Sequence, residues 1–248
     1  MVFVTGGGSH YVKERIYKAS GIFRKYSFND SKKSWDMNKN LWKNTGRKLM
    51  YFDGSGTCTI LYDQASNILY RYISSSKSYK RVSNVIDKLN GSRYYFYDAN
   101  GNRRTSSGWK KVNGSTAYYV CDGGYVTSRY TDQKGTKKVY DFDYSKNTWV
   151  QKKNMWKTVY RSRYYFGSKG VATMSYNNST KKAYKFTGRK WKPAKKLIMK
   201  IGNANYYFNS AAKRVVKAGK YKTADGYIAY VNRRGVVYKR EYDLSVKR

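Results

Sequence analysis

A tyrosine-centred strand core recurs about every 22 residues, and this short repeat limits what the chain can fold into. Aromatic residues favour strands, and a hairpin of this length cannot bury a core by itself. Neighbouring hairpins must therefore cover one another's aromatic faces. The ten cores are Tyr26–Phe28, Tyr51–Phe52, Tyr70–Tyr72, Tyr94–Phe96, Tyr118–Val120, Tyr140–Phe142, Tyr164–Phe166, Tyr184–Phe186, Tyr206–Phe208 and Tyr230–Val231.

A longer repeat shows that the ten units are two sets of five. Five aromatic pairs lie 114 residues apart: Trp35 and Trp149, Trp42 and Trp156, Tyr51 and Tyr165, Tyr62 and Tyr176, and Tyr70 and Tyr184. The offset falls to 112 for Tyr95 and Tyr207 and to 111 for Tyr119 and Tyr230, as small loop deletions would produce. We therefore predict a leader or linker over 1–19, a first set of hairpins over 20–130 and a second over 134–248.

Turn signals define the hairpins within this repeat. Asn90-Gly91 and Asn100-Gly101 flank an aromatic stretch, and Asn-Gly is typical of tight hairpin turns. The pattern predicts an all-β fold of stacked β-hairpins, similar to a β-solenoid and tandemly duplicated. A five-bladed β-propeller is the alternative, with two hairpins in each four-stranded blade. Five hairpins per half would, however, make the duplication cut through a blade.

The charge of the chain indicates a polyanionic partner. Its 248 residues contain 52 Lys and Arg against 14 Asp and Glu, which gives a formal net charge of +38. Solubility alone needs a magnitude of only about 2–8. Nucleic acid and anionic cell-wall polymers both carry phosphate charge, so composition does not separate them. No apolar run is long enough to span a membrane.

Residues suited to catalysis are few. His10 is the only histidine, and no metal-ligand spacing is present, so we predict no catalytic residue, no metal site and no cofactor. Asp53, Asp98 and Asp122 stand before glycine turns and are predicted to hold those turns. Cys58 and Cys121 either pair or stay free.

Residues 90–128 carry a recognisable pattern: Gly108-Trp109, Asn113-Gly114, the triplet Tyr118–Val120 and Gly123-Gly124. This pattern resembles the cell-wall-binding repeat superfamily, which comprises the choline-binding and glucan-binding repeats of Gram-positive surface proteins. The resemblance implies a hairpin solenoid, a secreted protein at the cell wall or extracellular surface, and non-covalent binding to wall polymers or glucans. The basic composition is also similar to that of surface proteins of lactobacilli.

The chain departs from this family in ways that bear on the ligand. The family's choline sites take two Trp and a Tyr from successive hairpins, whereas only Gly108-Trp109 shows the Gly-Trp signature here. Cationic residues such as Arg71, Arg93, Arg163 and Lys185 stand beside the aromatic cores. Because they would repel a quaternary ammonium group, choline is a poor candidate ligand.

Candidate binding residues are of two kinds. Aromatic faces that can stack on sugar rings are predicted at Trp109, Trp191, Tyr95, Tyr119 and Tyr207. Trp191 aligns with Tyr79 and Trp109 has no tryptophan at its matching position. Basic pairs in turns and at strand edges are predicted to contact a long polyanion; they are Arg103-Arg104, Lys110-Lys111, Lys137-Lys138, Lys181-Lys182 and Arg233-Arg234.

Three functions fit these features. The first is a non-catalytic module that binds anionic wall polymer, teichoic acid or polysaccharide, and anchors a secreted bacterial protein. The second is an adhesin for host or bacterial glycans. The third is nucleic-acid binding, which is less favoured because no groove-reading helix or RNA-binding motif is present. The oligomeric state is left open.

Overall fold

The computed structural model describes residues 2–5, for which only the backbone is considered, 12–90 and 93–245. His10 lies outside these residues. Within them the chain forms 26 β-strands and no helix, which confirms the all-β fold of repeated hairpins. No helix long and apolar enough to cross a bilayer occurs in these ranges.

The strands form seven antiparallel sheets in which neighbours follow chain order. The first sheet contains β1 (Val2–Thr5), β2 (Val12–Ala19), β3 (Ile22–Asn29) and β4 (Ser34–Met37). The second contains β5 (Leu41–Asn44), β6 (Lys48–Phe52), β7 (Cys58–Asp63), β8 (Ile68–Ile73) and β9 (Ser78–Arg81). The third contains β10 (Val85–Leu89) and β11 (Arg93–Tyr97). The fourth contains β12 (Gly108–Lys111), β13 (Thr116–Val120), β14 (Val126–Gln133), β15 (Thr136–Asp143) and β16 (Thr148–Gln151). The fifth contains β17 (Met155–Val159), β18 (Ser162–Phe166), β19 (Ala172–Asn177), β20 (Ala183–Phe186) and β21 (Trp191–Pro193). The sixth contains β22 (Leu197–Ile201) and β23 (Ala204–Phe208). The seventh contains β24 (Gly219–Lys222), β25 (Tyr227–Val231) and β26 (Val237–Tyr242).

The chain divides into two compact units. The first unit comprises 1–113 and 118–127, and the second comprises 114–117 and 128–248. The chain passes from one unit to the other within β13 and β14, earlier than the break predicted between 130 and 134. From Ser128 onwards the hairpin β14–β15 belongs to the second unit. Its register starts at Ser128 and Asp141 and runs without interruption to the turn.

The propeller alternative is wrong. A propeller blade is a four-stranded sheet that repeats around a channel. The described sheets contain four, five, two, five, five, two and three strands in chain order, so no four-stranded repeat exists among them.

Residues 12–19 belong to the repeated fold, although they lie within the leader or linker predicted over 1–19. They form β2, which pairs with β3 from Glu14 to Ala19. Ile16 is buried in a cluster with Met50 and Phe52. The second unit repeats this arrangement 114 residues later in β14 and β15, with Tyr130 at the position of Ile16. This part of the duplication was missed because it lacks a tyrosine triplet.

Two of the three predicted turn carboxylates, Asp53 and Asp98, hold turns as expected. The Asp98 Oδ1 atom accepts hydrogen bonds from the backbone N–H groups of Asn100 and Asn102, at 2.9 and 3.0 Å. Gly101 has a φ of 78°, a conformation that glycine adopts without a steric cost. Asp53 accepts from Ser55 and Thr57 in the same way. These carboxylates accept hydrogen bonds from backbone N–H groups that the turn would otherwise leave without a partner.

Each unit packs its own apolar clusters between hairpins. Phe52 in the first unit and Phe166 and Phe208 in the second are fully buried. Both cysteines are free thiols, and burial raises the pKa of Cys58 to about 11. The fold is thus held by many small hairpin contacts, as expected when short hairpins cover one another.

A charged cluster recurs in both units with its residue types exchanged. In the first unit Glu14 lies opposite Ser27 and forms ion pairs with Lys25, at 2.8 Å, and with Lys43. At the matching positions of the second unit the serine comes first: Ser128 lies opposite Asp141 and donates to it at 2.6 Å. Asp141 pairs with Lys152 and Lys157 at 3.4 and 3.1 Å. Each copy therefore keeps one carboxylate between two lysines.

The two clusters predict a loss of stability in acid. Burial opposes ionisation of both carboxylates, but the lysines of Glu14, and Ser128 together with the lysines of Asp141, outweigh it, so both pKa values are lowered from the usual 4.5 and 3.8. A lowered pKa contributes stability that is complete above the usual value and is lost as the pH falls through the folded-state pKa. We expect the urea midpoint of the native protein to fall as the pH drops below 4.5.

Variants separate this effect from general acid denaturation. At pH 7, Glu14→Gln and Asp141→Asn should each lower the free energy of unfolding by about 1–2 kcal/mol, since the carboxylates are only partly exposed. Glu14→Gln should cost more, because the Lys25 side chain is only 4% exposed and keeps its charge. Asp225→Asn, which removes an exposed partner of Arg240, is the control and should have almost no effect. Equal effects for all three would contradict this account.

Candidate polymer-binding surface

Most carboxylates of the chain are engaged within the protein. Ten of the 14 acidic residues lie within 4 Å of a lysine or arginine in the described part of the chain, and Asp53 and Asp63 hold turns. No group of three side chains suited to metal binding occurs among the described residues. Because cations greatly outnumber carboxylates, most lysines and arginines have no acidic residue to neutralise them.

Arginines cover aromatic faces at equivalent places in the two units. The Arg15 guanidinium lies 5.1 Å from the ring centroid of Tyr26 and 4.4 Å from that of Trp35. Arg129 lies 4.5 and 5.1 Å from the matching rings, Tyr140 and Trp149. Such cation–π contacts contribute about 0.5–2 kcal/mol each. The recurring tryptophans at 35 and 149 are therefore part of internal packing.

A second pair of arginines does the same further along each unit. Arg103 lies 5.7 Å from the ring centroid of Tyr62 and 5.1 Å from that of Tyr95. Its equivalent, Arg214, lies 4.0 Å from the ring centroid of Tyr206. A quaternary ammonium ligand would have to displace a guanidinium group from these faces. This geometry supports the expectation that choline is a poor ligand.

Three turns of the second unit, separate in sequence, bring two of the predicted basic pairs together. Lys182 forms a β-bridge with Lys213, and the Arg214 backbone N–H donates to the Lys181 carbonyl at 2.9 Å. The Arg214 guanidinium donates to the Arg234 carbonyl at 3.1 Å. We call the six cations of these turns the basic ladder; they are Lys181, Lys182, Lys213, Arg214, Arg233 and Arg234.

The basic ladder is exposed and has no counterpart in the first unit. Four members are exposed, and Lys182 and Arg214 are half-buried. The equivalent residues of the first unit are Asn67, Ile68, Asn102, Arg103, Asp122 and Gly123. There the formal charge is zero, since Arg103 and Asp122 cancel, whereas the ladder carries +6. The same turn geometry is thus neutral in one copy and strongly positive in the other.

The other predicted basic residues are spread more widely. Arg104 and Lys111 are exposed, and Arg104 forms an ion pair with Asp98 at 2.7 Å. Lys110 is half-buried and donates to Ser106 at 3.0 Å. Lys137 forms an ion pair with Asp132, while Lys138 forms a β-bridge with Val171. The structure does not bring these residues into one site.

Three predicted aromatic residues are half-buried and contact other rings. Trp109 and Tyr119 form an edge-to-face pair with centroids 5.5 Å apart. Trp191 is tilted against Phe186 at 5.3 Å, and its indole N–H donates to the Gly135 carbonyl at 2.9 Å. Each ring is therefore fixed in orientation while part of its face stays accessible.

Tyr207 was wrongly predicted as a binding residue. Its side chain is only 4% exposed and packs with Ala229 and Val231, and its hydroxyl donates to the Lys222 carbonyl at 2.7 Å. Val85 pairs with Tyr97 across its hairpin, whereas Leu197 pairs with Phe208, so the second hairpin is one residue shorter. The residue equivalent to Tyr95 is consequently Tyr206.

Sequence reasoning missed two parts of this surface. Arg15 and Arg129 share the 114-residue offset of the tryptophans, so the duplication itself contained the signal. Lys213-Arg214 was overlooked as the middle turn of the ladder. It is an adjacent basic pair like the predicted ones, but its place between two of them exists only when hairpins distant in sequence stack.

No protein-family model and no curated protein matches the chain. Among solved structures, choline binding protein F from Streptococcus pneumoniae, crystallised with a peptidoglycan analogue, is 18% identical with a TM-score of 0.24, over 96% of this chain and 84% of that one. Alternansucrase in complex with isomaltononaose is 14% identical with a TM-score of 0.26, over 91% of this chain and 18% of that one. The modular autolysin LytC from S. pneumoniae is 17% identical with a TM-score of 0.21, over 90% and 52%.

Proposed function

We propose that this chain is a non-catalytic module that binds anionic cell-wall polymer, such as teichoic acid, and holds a secreted bacterial protein at the cell surface. The observation that carries the proposal is the basic ladder, in which three turns of the second unit contribute six cations and no acidic residue, and four of the six cations are exposed. A flexible polyphosphate that follows these turns would contact several cations at once. Many weak contacts on one chain give a high combined affinity.

The rigid setting of the ladder supports the same function. Backbone hydrogen bonds join the turn of Lys181 to that of Arg214, and the Arg214 guanidinium is held between the Tyr206 ring and the Arg234 carbonyl of the third turn. Preorganised cations lose less conformational entropy on binding than free side chains do. The resemblance of residues 90–128 to wall-binding repeats implies the same class of ligand. Nucleic acid offers the same phosphate charge, so it must be compared with teichoic acid as a competitor.

Sedimentation with purified cell walls tests the proposal. The protein should co-sediment with native walls and lose most of this binding when teichoic acid has been removed from them. Soluble teichoic acid should compete better than single-stranded DNA of equal phosphate content. Undiminished binding to stripped walls, or stronger competition by DNA, would overturn the assignment of the polymer.

A further inference from the structure

The second unit contains a cavity of about 230 Å³ with both aromatic and polar walls. Trp191 and Tyr164 stand nearly perpendicular, with an interplanar angle of 73° and centroids 6.0 Å apart. Ser162, Ser175 and Asn177 line the same cavity. Ligand sites of proteins typically combine apolar walls with a few well-placed polar groups.

The same place in the first unit is a packed apolar cluster. Tyr164 and Ser175 replace Met50 and Leu61, both of which are buried there. Phe23 and Tyr79 pack against that cluster, and their equivalents in the second unit are Lys137 and Trp191. The duplication thus supplies a closed and an open version of one structural position. Exchange of buried Leu for Ser gives up apolar burial, which costs stability unless the polar group finds a partner.

The groups around the cavity are held in fixed orientations. The Trp191 ring is tied to the Gly135 carbonyl, and Lys137 is held by Asp132, with its ammonium 5.8 Å from the Trp191 ring centroid. Tyr130 lies in the core beneath, where burial together with Tyr164 and Asp132 raises its pKa, so its hydroxyl stays protonated. A preformed site loses little free energy in ordering its side chains when a ligand binds.

The chemistry of the walls selects a class of ligand. The ion pair between Lys137 and Asp132 has no net charge, so it gives the cavity no strong preference for a small anion or a small cation. A pyranose ring has an apolar face that suits Trp191 and a hydroxyl rim that suits the serines and Asn177. We infer that this cavity binds one neutral pyranose residue of a glycan. The inference deepens the proposed function by adding a sugar contact that does not depend on the polymer's charge.

Filling the cavity with the first unit's residue tests this inference. Binding would be measured by calorimetry against neutral oligosaccharides of glucose, galactose and N-acetylglucosamine, in about 500 mM salt, where exposed charges are screened. The native protein should bind at least one of them. Ser175→Leu should weaken that binding by about tenfold or more. Trp191→Tyr, which restores the residue type of the first unit, should also weaken it and guards against misfolding of the first variant.

Matched controls separate this inference from the proposed function. Thr173→Leu adds the same side chain at an exposed position of the same strand and should leave sugar binding unchanged. Ser175→Leu should still bind native walls at low salt. If the native protein binds walls but none of the neutral sugars, or if Ser175→Leu binds them undiminished, the cavity assignment is wrong while the wall-polymer proposal stands. Failure to bind walls at low salt would refute the latter alone.

Discussion

A rise in salt from about 50 to about 200 mM should weaken binding to soluble teichoic acid by about a hundredfold or more. Each phosphate neutralised on a flexible polyanion contributes about 0.7 to the slope of log affinity against log salt. If all six cations of the basic ladder contact phosphate, their contributions to this slope add up, and together they account for the expected loss of affinity over a fourfold increase in salt. Fluorescence anisotropy of labelled polymer over a salt series measures this slope.

Neutralising the ladder shows whether the effect is local. Replacement of Lys181, Lys213, Arg233 and Arg234 by Gln should lower the slope by about 3, because four contacts are lost. Arg214 is left in place because it packs on Tyr206. The control replaces four other exposed lysines of the second unit, Lys190, Lys192, Lys195 and Lys217, and so changes the net charge equally. Equal slopes for the two variants would mean that total charge, and not the ladder, governs binding.

Tyr207→Ala should lower the free energy of unfolding by about 3–5 kcal/mol, the range for truncation of a buried aromatic side chain. The Tyr207 ring stacks on Tyr221 at 5.1 Å, and its hydroxyl donates to the Lys222 carbonyl. Removal of the side chain leaves a cavity and takes away the donor that satisfies this carbonyl. Urea denaturation followed by circular dichroism measures the loss.

The neighbouring residue provides the matched control. Tyr206→Ala should cost only about 1–2 kcal/mol, because its ring is half-buried: it packs at the edge of the apolar cluster that contains Phe208 and is covered by the Arg214 guanidinium. The two variants remove the same side chain from adjacent positions of β23. A larger loss for Tyr206→Ala would show that the strand has the opposite register from the one described here.

Tyr206 and Tyr207 also show which features of the fold could and could not be predicted from the sequence. The 22-residue tyrosine repeat and the 114-residue offset predicted the hairpin fold, since both record which positions stack. They did not predict the shorter turn between β22 and β23. In a strand, a shift of one residue exchanges the two faces of the sheet. Tyr207 therefore points into the core, although its place in the aromatic triplet matched an accessible position.

The candidate sites show a similar division. Composition predicted that the ligand is anionic, and the turn signals predicted that the basic pairs lie outward. Lys181-Lys182 are joined to Lys213-Arg214 by backbone hydrogen bonds, and Lys213-Arg214 to Arg233-Arg234 by the Arg214 side chain, so the ladder depends on contacts between separate hairpins. The cavity beside Trp191 likewise needs side chains from β15, β18, β19 and β21.

By itself, then, the sequence determined the all-β repeat, the duplication and the positive charge, because periodicity and composition are properties of the chain alone. Only the tertiary structure decided which tyrosines are accessible, which cations converge and where the packed cluster of one unit opens into a cavity in the other. These outcomes depend on strand register and on contacts between hairpins that are far apart in sequence, and a single substitution such as Leu to Ser does not reveal them until its neighbours are known.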